Sequence, residues 1–173
     1  MLPAENVRAA AGLAQDPAQA KDQLVRALAA PFADRILRPH VEGAHVLIGQ
    51  AELAMGEAQA ARDAVGKPRY SVALEADALA VRLAASVIDG QADPASAEAA
   101  LRLIDDDRVP PLHALALMRV LASPGKGRGG TGGASAAALR ARMRVTAQAL
   151  LDSLRQELPL QAAFIRKHRD LLT

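Results

Sequence analysis

Residues 71–89, SVALEADALAVRLAASVID, carry the clearest pattern of apolar and polar positions in the chain. Wound as a helix, Val72, Ala76, Leu79, Leu83 and Val87 fall on one side, and Leu74, Ala78, Val81, Ala85 and Ile88 fall on the opposite side. Glu75, Arg82 and Asp89 share one of the narrow gaps between them. A helix with two apolar faces must be covered from two directions, so this pattern predicts a central element. Segment 111–122 is apolar nearly all round and predicts a second buried helix.

The other segments show single stripes. Segment 17–30 aligns Ala20, Leu24, Ala27 and Leu28, and segment 94–104 aligns Ala97, Ala100, Leu101 and Ile104. Segment 135–157, the longest, aligns Leu139, Met143, Leu150 and Leu154. A last amphipathic helix, 160–171, is expected to bury Leu160, Phe164, Ile165 and Leu171 or Leu172. A short helix is predicted over 4–14, and two more over 40–55 and 57–65. Asp16-Pro17 and Asp93-Pro94 read as an N-cap followed by the first helical residue, where proline needs no N–H donor. Pro31 ends one helix, Pro39 interrupts FADRILRP, and Pro159 breaks the long helix. Gly66-Lys67-Pro68 and Gly90 close two others.

Composition supports this reading. Apolar residues make up 51% of the 173 positions, which argues against a disordered chain. The apolar share is mostly Ala, Leu and Val; the aromatics are Phe32, Phe164 and Tyr70, and there is no Trp. Strand-forming residues are sparse. The expectation is one all-α domain over 1–173. It would consist of antiparallel hairpins in a bundle or short stack of roughly seven or eight helices.

The segment HVLIGQAELAMGEAQAARDAV, residues 45–65, raises a further point, because Gly49 and Gly56 each cost about 1 kcal/mol relative to Ala inside a helix. Gly56 reads as the turn between helices 40–55 and 57–65. Gly49 reads as a contact point where the missing side chain lets two backbones approach. The segment 41–65 resembles a tetratricopeptide unit, whose pattern is W-x2-L-G-x2-Y, then A-x3-F, then P. His45, Ile48-Gly49, Glu52, Ala61 and Val65 stand at those spacings. His45 and Glu52 replace aromatics, and Pro68 comes earlier than the pattern places it. The resemblance implies a concave groove that holds a peptide or a partner helix, and a module that acts as adaptor or chaperone.

Charge changes the picture at the C-terminal end. The net charge is +2. Residues 1–118 carry 11 Lys/Arg against 16 Asp/Glu, giving −5, whereas residues 119–173 carry 10 against 3, giving +7. Residues 123–134 include SPGKGRGGTGG and read as a flexible connector to a basic helical segment, 135–173. Arg140, Arg144 and Arg155 fall on one side of the long helix. Lys126 and Arg128 precede them, and Arg166, Lys167 and Arg169 follow. Such a face attracts phosphates with a steep salt dependence, although it lacks the Trp and Tyr that stack on single strands. It can equally dock on the acidic half of this chain or of a second copy.

Catalytic signals are thin. Without Cys there is no disulfide, thiolate metal site or Cys nucleophile. Glu42-x-x-His45 has a metal-ligand spacing seen in di-iron bundles, but no second copy accompanies it. The zinc order H-E-x-x-H is absent, and GKGRGG departs from the phosphate-loop pattern. The run Asp105-Asp106-Asp107 reads as a solvated turn. No cofactor, metal or catalytic group is expected. MLPAENVRAAAGLAQ does not read as a signal peptide, and no segment approaches the roughly 18 consecutive apolar residues of a membrane span. The expected function is a cytoplasmic protein–protein interaction module: an adaptor, a chaperone, or a structural subunit partnered by another protein or by its own copies. His45, Glu52, Arg140, Arg144 and Arg155 are its candidate contacts. The alternative is a nucleic-acid-binding or packaging component that uses Lys126, Arg128, Arg140, Arg144, Arg155, Arg166, Lys167 and Arg169.

Overall fold

The computed structural model describes residues 8–30, 38–66, 68, 71–106, 108–123, 133–154 and 157–172. Every regular element among them is helical. After α1 (8–12) come α2 (Pro17–Ala29), α3 (Arg38–Ala54), α4 (Ala58–Ala64) and α5 (Val72–Ile88). They are followed by α6 (Pro94–Asp105), α7 (Pro111–Ala122), α8 (Gly133–Ser153), α9 (Leu158–Lys167) and α10 (Arg169–Leu172). The caps follow the sequence logic. Asp16 Oδ1 accepts from Gln19 N at 2.9 Å, and Asp93 Oδ1 accepts from Ser96 N at 2.9 Å. Each is followed by a proline in the first turn. Pro39 and Pro159, expected as breakers, instead sit in the first turns of α3 and α9, where their missing N–H groups would be unpaired anyway.

Helices α3, α5 and α7 stack in sequence. Helix α4 packs on α3 and α5, and α6 packs on α5 and α7, so each bridges two neighbours in the stack. Both apolar faces of α5 are covered. Ala76, Leu79 and Leu83 join the largest apolar cluster with Leu103, Ile104, Leu115, Leu117, Met118, Leu139 and Met143. Ala78 and Val81 join a second cluster with Val46, Ala61 and Val65 of the α3–α4 hairpin. Only the last position of the stripe fails: Ile88 ends the helix and is 50% exposed. A third cluster ties α1, α2 and α3 together through Ala9, Ala20, Leu24, Ala44 and Ile48.

The two glycines behave differently from one another. Gly56 turns between α3 and α4 with φ +84, a left-handed conformation that other residues rarely adopt. Gly49 is buried inside α3. A Cβ there would collide with Val65 Cγ1 and lie 3.1 Å from Val81 Cγ1 and 3.2 Å from the Ala61 carbonyl oxygen. Gly49 is therefore the point where α3, α4 and α5 meet.

The C-terminal expectations need correction. Residues 158–172 form two helices, broken at His168, rather than one. The buried His168 ring stacks on Phe164 with centroids 4.4 Å apart. Leu171 is buried, but Leu160 and Ile165 are 56% and 41% exposed, because among the described helices α9 touches only α8 and α10. The long helix ends at Ser153 rather than near 157. Helix α7 is less enclosed than its composition suggests: Leu115, Leu117, Met118 and Leu121 are buried, while Leu112 is exposed.

Candidate functional site

The basic residues of α8 divide between two tasks. Arg142 turns toward α6: its Nη1 donates to Asp105 Oδ1 at 2.9 Å and its Nη2 to the Ile104 carbonyl at 2.6 Å. A guanidinium at a helix C-terminus satisfies free carbonyls and meets the negative end of the dipole. This is the docking of the basic end on the acidic half. Arg140 and Arg144 do not take part in it. Both are exposed, and neither has an ion-pair partner among the described residues.

Arg140 and Arg144 instead line a cavity of about 290 Å³ where α7, α8 and α10 meet. Arg119 and Ser123 reach it from the end of α7, and Asp170 from α10. Arg119 Nη2 donates to Asp170 Oδ1 at 2.5 Å, and the Ser123 hydroxyl donates to the Arg119 carbonyl at 3.0 Å. Arg119 Nε is buried without a hydrogen-bond partner among the described residues. The neighbouring His168 is held below the usual imidazole range, first by burial and then by the charges of Arg119 and Lys167. A shallower groove of about 570 Å³ shares Arg144 and Leu171 with this cavity. Its lining is chiefly apolar: Val145, Ala149, Leu171 and Leu172, beside Gln148 and Asp152. Val145 is 71% exposed.

Elsewhere the predicted contacts take other positions. Glu52 is buried, and its carboxylate meets Lys21 Nζ at 2.7 Å, so it ties α2 to α3. His45 is exposed and lines a separate cavity of about 320 Å³ with Glu42 and Asp63. Among the described residues no group of three or more His, Cys, Asp and Glu gathers to hold a metal ion. Arg166, Lys167 and Arg169 are exposed on α9 and α10. Lys126, Arg128, Arg155 and most of the Gly-rich connector lie outside the described residues, as does Asp107. No described helix is long and apolar enough to cross a membrane.

Sequence reasoning missed Arg119 and Asp170. Arg119 is the lone residue of formal charge in PLHALALMRVLA, and that break in an otherwise apolar helix was the available signal. It also missed His113, whose Nδ1 lies 2.8 Å from Asp77 Oδ1 and joins α7 to α5. That pair needs two helices placed side by side and has no spacing signature. Comparison of the chain with models of known protein families, with curated proteins and with solved structures finds no match.

Proposed function

We propose that this chain is a cytoplasmic protein–protein interaction module without catalytic chemistry of its own. It would serve as an adaptor, a chaperone or a subunit of a larger assembly. One observation carries this reading: the apolar groove along α8, with Val145 71% exposed in its lining and Arg144 at its edge. An apolar strip beside Arg144, a cation without an ion-pair partner among the described residues, suits a partner surface that is amphipathic and acidic. Leu160 and Ile165 are also exposed, on α9, which packs on α8. The sequential stacking of α3, α4 and α5 around Gly49 supports the tetratricopeptide-like reading of that segment, and with it the module class.

The test is a photo-crosslinking residue placed at position 145 of the full chain in its native host, with position 98 on exposed α6 as the control. Discrete crosslinked products at 145 and none at 98 are expected. If neither position yields one, and light scattering shows a monomer throughout, the reading fails.

A second reading is favoured by Arg140 and Arg144, which have no carboxylate partner among the described residues, with Arg166, Lys167 and Arg169 exposed on α9 and α10. Under it the C-terminal end binds a nucleic-acid backbone, and a mobility shift at low salt weakens steeply as salt rises. No shift at low salt removes it.

A further inference from the structure

The cavity between α7, α8 and α10 has a charge balance of its own. Among the described residues three guanidiniums and one carboxylate line it, a formal surplus of two positive charges. Asp170 is already engaged by Arg119. Arg119 Nε has no partner among the described residues, so one carboxylate alone answers that guanidinium. Arg140 and Arg144, four residues apart on one face of α8, repel each other by a few tenths of a kcal/mol in the absence of a counter-charge. An anion seated between them reverses that term.

The surplus selects among anions. A phosphate monoester carries about −1.5 to −2 at neutral pH, whereas a carboxylate or a phosphodiester carries a single charge. The planar guanidinium fork fits two phosphate oxygens at once. Among the described residues no aromatic side chain lines the cavity, so they offer a nucleobase nothing to stack on. The volume, about 290 Å³, lies at the foot of the range that encloses whole organic ligands and suits a compact group. We infer that this cavity binds a phosphate monoester dianion, either free phosphate or the terminal phosphate of a larger molecule, between Arg140 and Arg144 with Arg119 as the third donor. The cavity adjoins the apolar groove, with which it shares Arg144 and Leu171, and phosphate binding is read without any partner on that groove.

The test titrates the full chain with inorganic phosphate at constant ionic strength, following thermal unfolding and the His168 ring resonances by NMR. Saturable binding is expected, with a rising unfolding temperature and a perturbed His168, because a ligand that binds only the folded state stabilises it. The variant Arg140→Gln/Arg144→Gln removes no ion pair among the described residues and keeps its helicity by circular dichroism. It should lose about tenfold or more in phosphate affinity. Phosphoserine and a thymidine oligonucleotide with unphosphorylated ends form two further arms. Phosphoserine binding above that of phosphate identifies a terminal phosphate as the ligand, and binding below it identifies the free ion. Three outcomes overturn the proposal: no saturable phosphate binding by the unaltered chain, equal binding by the double variant, or tighter binding of the diester-only oligonucleotide than of either monoester.

Discussion

Helices α5 and α9 both display apolar residues at helical spacing, yet one is enclosed and the other is not. Helix α5 has α3 and α4 on one side and α6 and α7 on the other, and its Leu83 is fully buried. Among the described helices α9 meets only α8 and α10, and leaves Leu160 and Ile165 exposed. An apolar stripe states a demand for cover, and topology decides whether the chain itself meets it. In the stack from α3 to α7 the demand is met internally. At the C-terminal end Leu160 and Ile165 of α9 and Val145 of α8 stay exposed. That contrast separates the part of the molecule whose apolar surface is enclosed from the part where some of it stays exposed.

The contrast breaks most visibly in the stack. Leu83→Ala empties a fully buried position between α5 and α7, and should lower unfolding free energy by about 2–5 kcal/mol in a urea titration. A loss much below this would mean that the interior of the stack is loosely packed.

Gly49→Ala sharpens it next. Alanine gains about 1 kcal/mol in helix propensity. The collision with Val65, together with the approach to the Ala61 carbonyl, outweighs that gain, for a net loss of about 1–3 kcal/mol. Adding Val65→Ala should relieve part of the loss, so the two changes are non-additive. Additive losses would remove Gly49 from its role as the meeting point of three helices.

Smaller effects follow from the two histidines, with opposite signs in the two regions. His113 in the stack is raised above the usual imidazole range, chiefly by its hydrogen bond to Asp77. Its contribution is fully present below the unfolded value near 6.5 and is lost as pH rises through the folded value. His168 in the C-terminal region is lowered, chiefly by burial, so its contribution is present above the unfolded value and is lost as pH falls through the folded one. Urea midpoints from acid to neutral pH should therefore diverge between the variants. His113→Gln loses stability selectively at acid pH, and His168→Gln loses its acid-side decline. Parallel profiles would refute the assignment of opposite environments.

The smallest effect belongs to the exposed groove. Val145→Ser should change stability by no more than about 0.5 kcal/mol, because the side chain is already in solvent. Measured by the same urea titration, a loss comparable to that of Leu83→Ala would show that the groove is part of the core.

Much of the fold was legible locally. Asp16, Asp93, Gly56 and Gly90 set helix ends through caps and backbone conformations that need only neighbouring residues. The two-faced pattern of α5 announced a central position. The candidate site was half legible: Arg140 and Arg144 were found by their helical spacing, while Arg119, Ser123 and Asp170 join them only where three helices meet. Glu52 looked like a surface contact because Lys21, 31 positions earlier, gives no sign in sequence of standing opposite it.

The sequence by itself determined the helices, their ends and the amount of apolar surface each one needs to hide, because propensity, capping and periodicity act over a few residues. Tertiary structure alone decided which of those surfaces are hidden. Burial of Ala78 and Val81 depends on the α3–α4 hairpin arriving beside α5, and exposure of Leu160, Ile165 and Val145 on no described helix arriving there. The same holds for charge: Arg142 is tied down and Arg140 is left open because α6 lies on one side of α8 and a cavity on the other. Pairing at a distance is set by geometry between elements, and the order of residues does not encode it directly.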